Sequence, residues 1–129
     1  MGILLIEDEP RIRAFITRGL GAEGFTVDET DDGRAGLNRA LSEQYDLVIL
    51  DLALPSMDGL TVLEALSSRR PKVPVLILSA SSDLRTRAAA FSHGASDYLE
   101  KPFAFDDLLT RVRTHLRRGA QKAFEMSAP

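Results

Sequence analysis

The chain contains no cysteine, which excludes disulfide bridges, thiolate zinc sites and cysteine nucleophiles. It also lacks an apolar run long enough to cross a membrane and a secretory signal pattern at its start, so we expect a cytoplasmic location without membrane attachment. Nor is there an excess of positive charge, because the net charge is -3. We therefore do not expect this chain to bind nucleic acid through bulk electrostatics.

The composition is that of an ordinary globular domain. The sequence has 129 residues, of which 44% are apolar and 27% charged. A chain of this length and composition suits a single domain built around one hydrophobic core.

Short apolar runs alternate with segments of helical periodicity along the chain. The runs lie at residues 3–6, 25–29, 46–50, 73–78 and 97–99. Several are rich in Val, Ile and Leu without polar alternation, which is typical of parallel strands covered on both faces. Between them, helical spacing places apolar side chains on one face, as with Ile12, Phe15, Ile16 and Leu20. This order predicts an α/β fold, a (βα)5 doubly wound parallel five-stranded sheet.

The helical pattern is lost after Arg118. We therefore assign residues 1–118 to the domain. Residues 119–129 are predicted to form a flexible tail, or the start of a linker to a domain outside this chain.

Acidic side chains follow the first and third predicted strands. Glu7 and Asp8 come directly after the first strand, and Asp51 ends the third. Ligands of doubly wound sheets bind outside the carboxyl ends of the strands, so these carboxylates converge if the two strands are neighbours. Crowded carboxylates raise one another's pKa unless a cation joins them. Oxygen ligands without His or Cys favour Mg²⁺.

A hydroxyl and a lysine follow the last two strands. Ser79 ends the fourth strand, and Lys101 comes just after the fifth. Taken singly, Ser79 suits a turn, Lys101 a surface charge and Asp8 a helix N-cap ahead of Pro10. Together, a carboxylate beside a metal, a lysine and a hydroxyl can attack a phosphoryl group. The joint occurrence at separate strand ends favours such a site.

Four motifs, in order and spacing, resemble the receiver domain of two-component response regulators, the CheY-like family, and most of all its OmpR/PhoB branch. They are LLIEDE (4–9), DLVILDLALPSMDG (46–59), VPVLILSA (73–80) and GASDYLEKPF (94–103). The resemblance covers about residues 3–118. It implies a flavodoxin-like strand order 2-1-3-4-5. It also implies a phosphoacceptor switch rather than an enzyme, one that assists only its own Mg²⁺-dependent phosphorylation and dephosphorylation.

The resemblance assigns a role to each residue at the strand ends. Asp51 would accept a phosphoryl group from a sensor histidine kinase. Glu7, Asp8 and Asp51 would hold Mg²⁺ together with the backbone carbonyl of Ala53. Lys101 would form an ion pair with Asp51 or its phosphate.

Switching is implied by two further positions. Ser79 would hydrogen-bond a phosphoryl oxygen, and Tyr98 would then rotate inward. The peptide bond between Lys101 and Pro102 is expected to be cis, which costs little before proline. In the loop after Asp51, Gly59 is expected to permit a backbone conformation that other residues resist.

The output surface implied by the OmpR/PhoB branch is the fourth helix, fifth strand and fifth helix, through which the phosphorylated chain would form a homodimer. A third ion pair of that branch is lost here, because Ser96 replaces an aspartate opposite Arg113. The interface residues implied are Phe91 and the cross-subunit pairs Arg87 with Asp107 and Asp97 with Arg111.

Two readings of the output stay open. The chain would control transcription through a C-terminal DNA-binding domain that it does not contain, or act as a single-domain receiver in a phosphorelay or on a protein target. A phosphatase of the haloacid dehalogenase type is disfavoured, because Ala53 stands where that chemistry needs a second aspartate.

Overall fold

The computed structural model describes the backbone of residues 2–127 and the side chains of residues 2–120. Strands and helices alternate throughout this range, as the sequence predicts. The strands are β1 (Gly2–Ile6), β2 (Thr26–Thr30), β3 (Leu47–Asp51), β4 (Val75–Ser79) and β5 (Asp97–Glu100). The helices are α1 (Pro10–Ala22), α2 (Gly33–Ser42), α3 (Gly59–Arg69), α4 (Leu84–Ser92) and α5 (Phe105–Ser127).

The strands form one parallel sheet in the order β2-β1-β3-β4-β5, which confirms the predicted topology. β1 lies beside β3 with Ile6 opposite Leu50, and β4 lies beside β5 with Ser79 opposite Glu100. The carboxyl ends of the four strands that precede the predicted site residues are therefore aligned at one edge of the sheet.

The core has two layers, one on each face of the sheet, because neighbouring strand residues point to opposite faces. Ile3 and Leu5 pack with α1 and α5, whereas Leu4 and Ile6 pack with α2, α3 and α4. β3 and β4 are buried at every position, which explains their unbroken apolar sequences. One predicted core residue behaves differently: the Phe15 side chain is 49% exposed.

α5 is longer than the sequence pattern predicts. It continues past Arg118 to Ser127, through most of the segment assigned to a tail or linker. The regular spacing of apolar residues ends at Leu116, whereas the backbone remains helical. The boundary of the domain at residue 118 therefore stays a prediction. Within the described residues, no helix is both long and apolar enough to cross a membrane.

Candidate functional site

Three carboxylates meet at the carboxyl edge of the sheet. Glu7, Asp8 and Asp51 each place one oxygen within 4.8 Å of the others. Glu7 is fully buried, Asp51 is 2% exposed, and Asp8 is partly exposed. Their convergence was expected because β1 and β3 are neighbours, and the structure confirms that β1 lies beside β3.

Lys101 brings a positive charge to these carboxylates from the loop after β5. Its Nζ lies 2.7 Å from Glu7 Oε1, 3.2 Å from Asp51 Oδ2 and 3.5 Å from Glu9 Oε1. The closest partner is therefore Glu7 rather than Asp51. The peptide bond that follows, to Pro102, is cis as expected.

The two buried carboxylates differ in pKa. Burial and the close approach of Asp51 raise the pKa of Glu7 to about 8, although Lys101 acts in the opposite direction. Burial alone would raise the pKa of Asp51 as well. Its contacts with Glu7, the N–H of Ala53 at 3.0 Å and Lys101 outweigh burial, so the pKa of Asp51 is lowered. Asp51 is thus the ionised member of the pair at neutral pH.

One oxygen of this cluster has no partner among the described residues. Glu7 Oε2 is buried and accepts no hydrogen bond. Buried polar atoms are almost always hydrogen-bonded, so an orphaned carboxylate oxygen beside two further carboxylates indicates a place for a cation.

Ser79 and Tyr98 lie on the adjacent strands. Ser79 is buried at the end of β4, where its Oγ accepts a hydrogen bond from the Ser81 N–H at 3.1 Å. Tyr98 is 3% exposed, and its hydroxyl donates to the Ser81 carbonyl at 2.8 Å. Tyr98 therefore occupies the inward position in this structure. Ser81 connects the two residues that the sequence analysis assigns to switching.

The loop between β3 and α3 depends on Gly59 for a steric reason. Its N–H donates to the Leu52 carbonyl at 3.2 Å, and a Cβ at residue 59 would lie 2.5 Å from Leu52 Cα. The φ angle of Gly59 is not positive, unlike those of Gly24 and Gly94. The expected conformational role is therefore wrong. Glycine is needed because two backbone segments meet beside Asp51.

The predicted dimer surface is engaged within the single chain. Arg111 contacts Asp97 at 2.5 Å and Asp107 at 2.8 Å. Arg87 lies over the rings of Tyr98 and Phe91, at 5.5 and 5.8 Å from their centroids. The cross-subunit pairs stay a prediction, and forming them would require Arg111 to exchange its partners.

The expected loss of a third interface pair stays a prediction, and both of its positions, Arg113 and Ser96, have partners within the chain. Arg113 instead binds Glu23 of the same chain at 2.9 Å, and the Ser96 hydroxyl accepts a hydrogen bond from the Val75 N–H at 3.2 Å. Ser96 thus supports the start of β4.

Three polar residues of this region had no role assigned to them from the sequence. His115, which is buried, places Nε2 2.9 Å from Asp97 Oδ2. The sequence signal was its position: it lies one turn after Val112, among the apolar residues on the buried face of α5. Glu9 contacts Lys101, and Arg13 contacts the loop that carries Glu7 and Asp8. Neither has a sequence signal beyond its charge.

The chain matches known proteins in both sequence and structure. The family model described as the response regulator receiver domain matches residues 3–113. The chain is 48% identical to the transcriptional activator protein IrlR of Burkholderia pseudomallei over 119 residues, or 92% of this chain and 52% of that protein. It is 43% identical to the transcriptional regulatory protein CusR of Escherichia coli over 125 residues, or 97% of this chain and 55% of that protein. The chain thus spans about half the length of these curated relatives.

Among solved structures, the response regulator protein TrrA of Thermotoga maritima, in complex with Mg²⁺ and beryllium fluoride, superposes with a TM-score of 0.81. The two are 32% identical, and the match covers 88% of this chain and 97% of that one. Sequence and structure agree, and the chain belongs to the response regulator receiver domain family.

Proposed function

We propose that this chain is the phosphoacceptor domain of a two-component response regulator, which receives a phosphoryl group from a sensor histidine kinase on Asp51. The observation that carries this proposal is the meeting of a buried, ionised Asp51 with Glu7, Asp8 and the Lys101 ammonium group. Membership of the receiver family supports it. The chain acts here as a phosphoacceptor switch rather than as an enzyme with a separate substrate.

In the transfer, a carboxylate oxygen of Asp51 forms a bond to phosphorus as the phosphorus–nitrogen bond of the phosphohistidine breaks. The imidazole leaves with the electron pair of that bond and takes up a proton. Lys101, which already contacts Asp51 Oδ2 at 3.2 Å, offsets charge on the transferring oxygens. Ser79 donates a hydrogen bond to one of those oxygens.

The residues present fit a Mg²⁺ ion. Glu7, Asp8 and Asp51 would hold it, with the Ala53 carbonyl as a further ligand. The unpartnered Glu7 Oε2 supports this assignment, and the cluster has the hard oxygen chemistry that Mg²⁺ prefers. When bound, Mg²⁺ supplies positive charge that stabilises the transferring phosphoryl oxygens. The TrrA structure contains the same ion, together with beryllium fluoride.

The raised pKa of Glu7 predicts how stability depends on pH in the metal-free protein. The ordinary pKa is 4.5 and the folded value is about 8, so the folded state holds an extra proton between these values. We expect the free energy of unfolding to fall as the pH rises through this window. Asp51 has the opposite effect but only in acid, where the stability due to its lowered pKa is lost as the pH falls.

Denaturant unfolding at a series of pH values, in EDTA and in saturating Mg²⁺, measures this effect. Because the ion binds ionised carboxylates, Mg²⁺ should remove the decline and bind more tightly as the pH approaches 8. Glu7→Gln should flatten the EDTA curve. Parallel curves for wild type and Glu7→Gln would show that Glu7 is not the titrating group.

Phosphorylation is proposed to act through the surface formed by α4, β5 and α5. The outcome would be a homodimer of the OmpR/PhoB kind that controls transcription through a DNA-binding domain outside this chain. Relatives named as a transcriptional activator and a transcriptional regulatory protein, each about twice as long as the matched region, support this output. Exchange of the Arg111 contacts with Asp97 and Asp107 is the step that dimerisation would require.

The experiment that tests phosphoacceptance is intact mass spectrometry after incubation with acetyl phosphate and Mg²⁺. We expect the wild-type chain to gain one phosphoryl group. Asp51→Asn, and wild type in EDTA, should gain none. A gain by Asp51→Asn equal to that of wild type would contradict the assignment of the acceptor.

A further inference from the structure

The loop that carries Glu7 and Asp8 is contacted from behind by Arg13 of α1. Nη1 of Arg13 donates to the Glu7 carbonyl at 2.9 Å and to the Asp8 carbonyl at 3.4 Å. One guanidinium thus bonds the main chain of two consecutive residues whose side chains face Asp51. The Arg13 side chain is largely buried, so these contacts have little competition from water.

Arg13 is itself oriented by β2 and by α1. Its Nε lies 3.5 Å from Glu29 Oε1, and the second oxygen of Glu29 accepts a hydrogen bond from Thr17 Oγ1 at 2.6 Å. The Glu7 N–H donates to the carbonyl of Thr30, the residue after Glu29. The loop is therefore tied to the end of β2 twice, once by its main chain and once through Arg13.

This anchorage opposes a specific electrostatic force. Asp8 and Asp51 each place an oxygen within 4.8 Å of the other, and repulsion between these two carboxylates favours movement of the loop away from β3. Lys101 forms ion pairs with the carboxylates of Glu7 and Asp51. Within the described residues, it forms no ion pair with Asp8. In the same part of the chain, the side-chain hydrogen bond to the Asp8 main chain comes from Arg13.

We propose that Arg13 is a positioning residue, which holds the main chain of Glu7 and Asp8 so that their carboxylates stay aligned with Asp51 for Mg²⁺, and that Glu29 sets the orientation of its guanidinium. This inference rests on the proposed function and deepens it. Groups behind metal ligands typically change metal affinity by about 10–100-fold when they are removed.

Isothermal titration of Mg²⁺ without a phosphodonor tests the proposal. We expect Arg13→Ala to weaken Mg²⁺ binding by about ten-fold or more. Arg13→Lys keeps the charge but not the planar fork that reaches both carbonyls and Glu29, so it should restore little of the affinity. Arg18→Ala removes an exposed arginine from the same helix and should bind as wild type does.

Phosphorylation by acetyl phosphate supplies a second readout. Arg13→Ala should need more Mg²⁺ for half-maximal rate yet reach nearly the wild-type rate at saturation, a split that general destabilisation would not produce. If Arg13→Ala folds poorly, Glu29→Ala at a half-exposed residue should still weaken Mg²⁺ binding measurably, by up to about ten-fold, because it acts on the loop only through Arg13.

Wild-type Mg²⁺ affinity in both Arg13→Ala and Glu29→Ala would overturn the proposal, as would full recovery in Arg13→Lys. Because the titration contains no phosphodonor, these results are read separately from any failure of Asp51 to accept a phosphoryl group.

Discussion

Lys101→Met is expected to slow phosphorylation by acetyl phosphate by about a hundred-fold or more, which is typical of losing one oriented group that stabilises transition-state charge. Met preserves the apolar length of the side chain and removes only the ammonium group. The rate of mass gain at saturating Mg²⁺ measures the effect.

The physical reason lies in the contacts of the Lys101 ammonium group. It lies 2.7 Å from Glu7 and 3.2 Å from Asp51, both of which are buried. Removing one partner of a buried ion pair costs about 3–5 kcal/mol when the other charge stays. In this cluster the pKa of Glu7 is about 8, so Glu7 already holds a proton at neutral pH and only Asp51 is left as an unpaired charge, which lowers that cost. We therefore expect Lys101→Met to affect the phosphorylation rate more strongly than the free energy of unfolding.

Lys72→Met is the matched control, because Lys72 is an exposed lysine and its replacement makes the same change in net charge. It should be phosphorylated at the wild-type rate. Equal rates for Lys101→Met and Lys72→Met would show that the ammonium group has no part in the transfer.

Gly59→Ala is expected to destabilise the domain by about 1–3 kcal/mol, the usual cost of inserting an atom into a packed site. The added Cβ would lie 2.5 Å from Leu52 Cα and 2.6 Å from the Leu52 carbonyl oxygen. Both are main-chain atoms, so no side-chain rotation can relieve the overlap. Urea unfolding measures the loss.

The same substitution should also impair phosphorylation. Leu52 directly follows Asp51, and its N–H donates to the Leu78 carbonyl at 3.1 Å. A displaced Leu52 shifts Ala53, whose N–H holds Asp51 Oδ1 at 3.0 Å. We expect the phosphorylation rate at saturating Mg²⁺ to fall even under conditions where the variant is fully folded.

Gly21→Ala provides the comparison within the same chain. Gly21 lies inside α1, and a Cβ there meets no atom within 4 Å. Because alanine is favoured over glycine in helices, this variant should be as stable as wild type or more stable by up to about 1 kcal/mol. Equal stabilities for Gly59→Ala and Gly21→Ala would contradict the steric role of Gly59.

The convergence of the site could be predicted because it depends on topology. β3 and β4 are buried at every position. Their apolar runs therefore show neither the polar alternation of a half-buried strand nor the periodicity of an amphipathic helix. Once β1 and β3 are neighbours, Glu7 and Asp51 must lie at the same edge of the sheet. Lys101 and Ser79 follow from the adjacency of β4 and β5 in the same way.

What could not be predicted depends on side-chain geometry. Charge alone did not show that Lys101 lies nearer to Glu7 than to Asp51, or that Arg13 bonds main-chain carbonyls instead of a carboxylate partner on its own helix. The close approach of Gly59 to Leu52 is invisible in a sequence that suggests only a turn. The extension of α5 was missed because helical residues beyond the core need no apolar stripe.

Asp51, rather than a neighbouring carboxylate, is proposed to carry the phosphoryl group. Borohydride reduces an acyl phosphate to the alcohol, so reduction of the phosphorylated chain followed by peptide mapping locates the modified residue. We expect homoserine at position 51, and only when Mg²⁺ was present during phosphorylation. Reduction at Glu7 or Asp8 with Asp51 unmodified would contradict it.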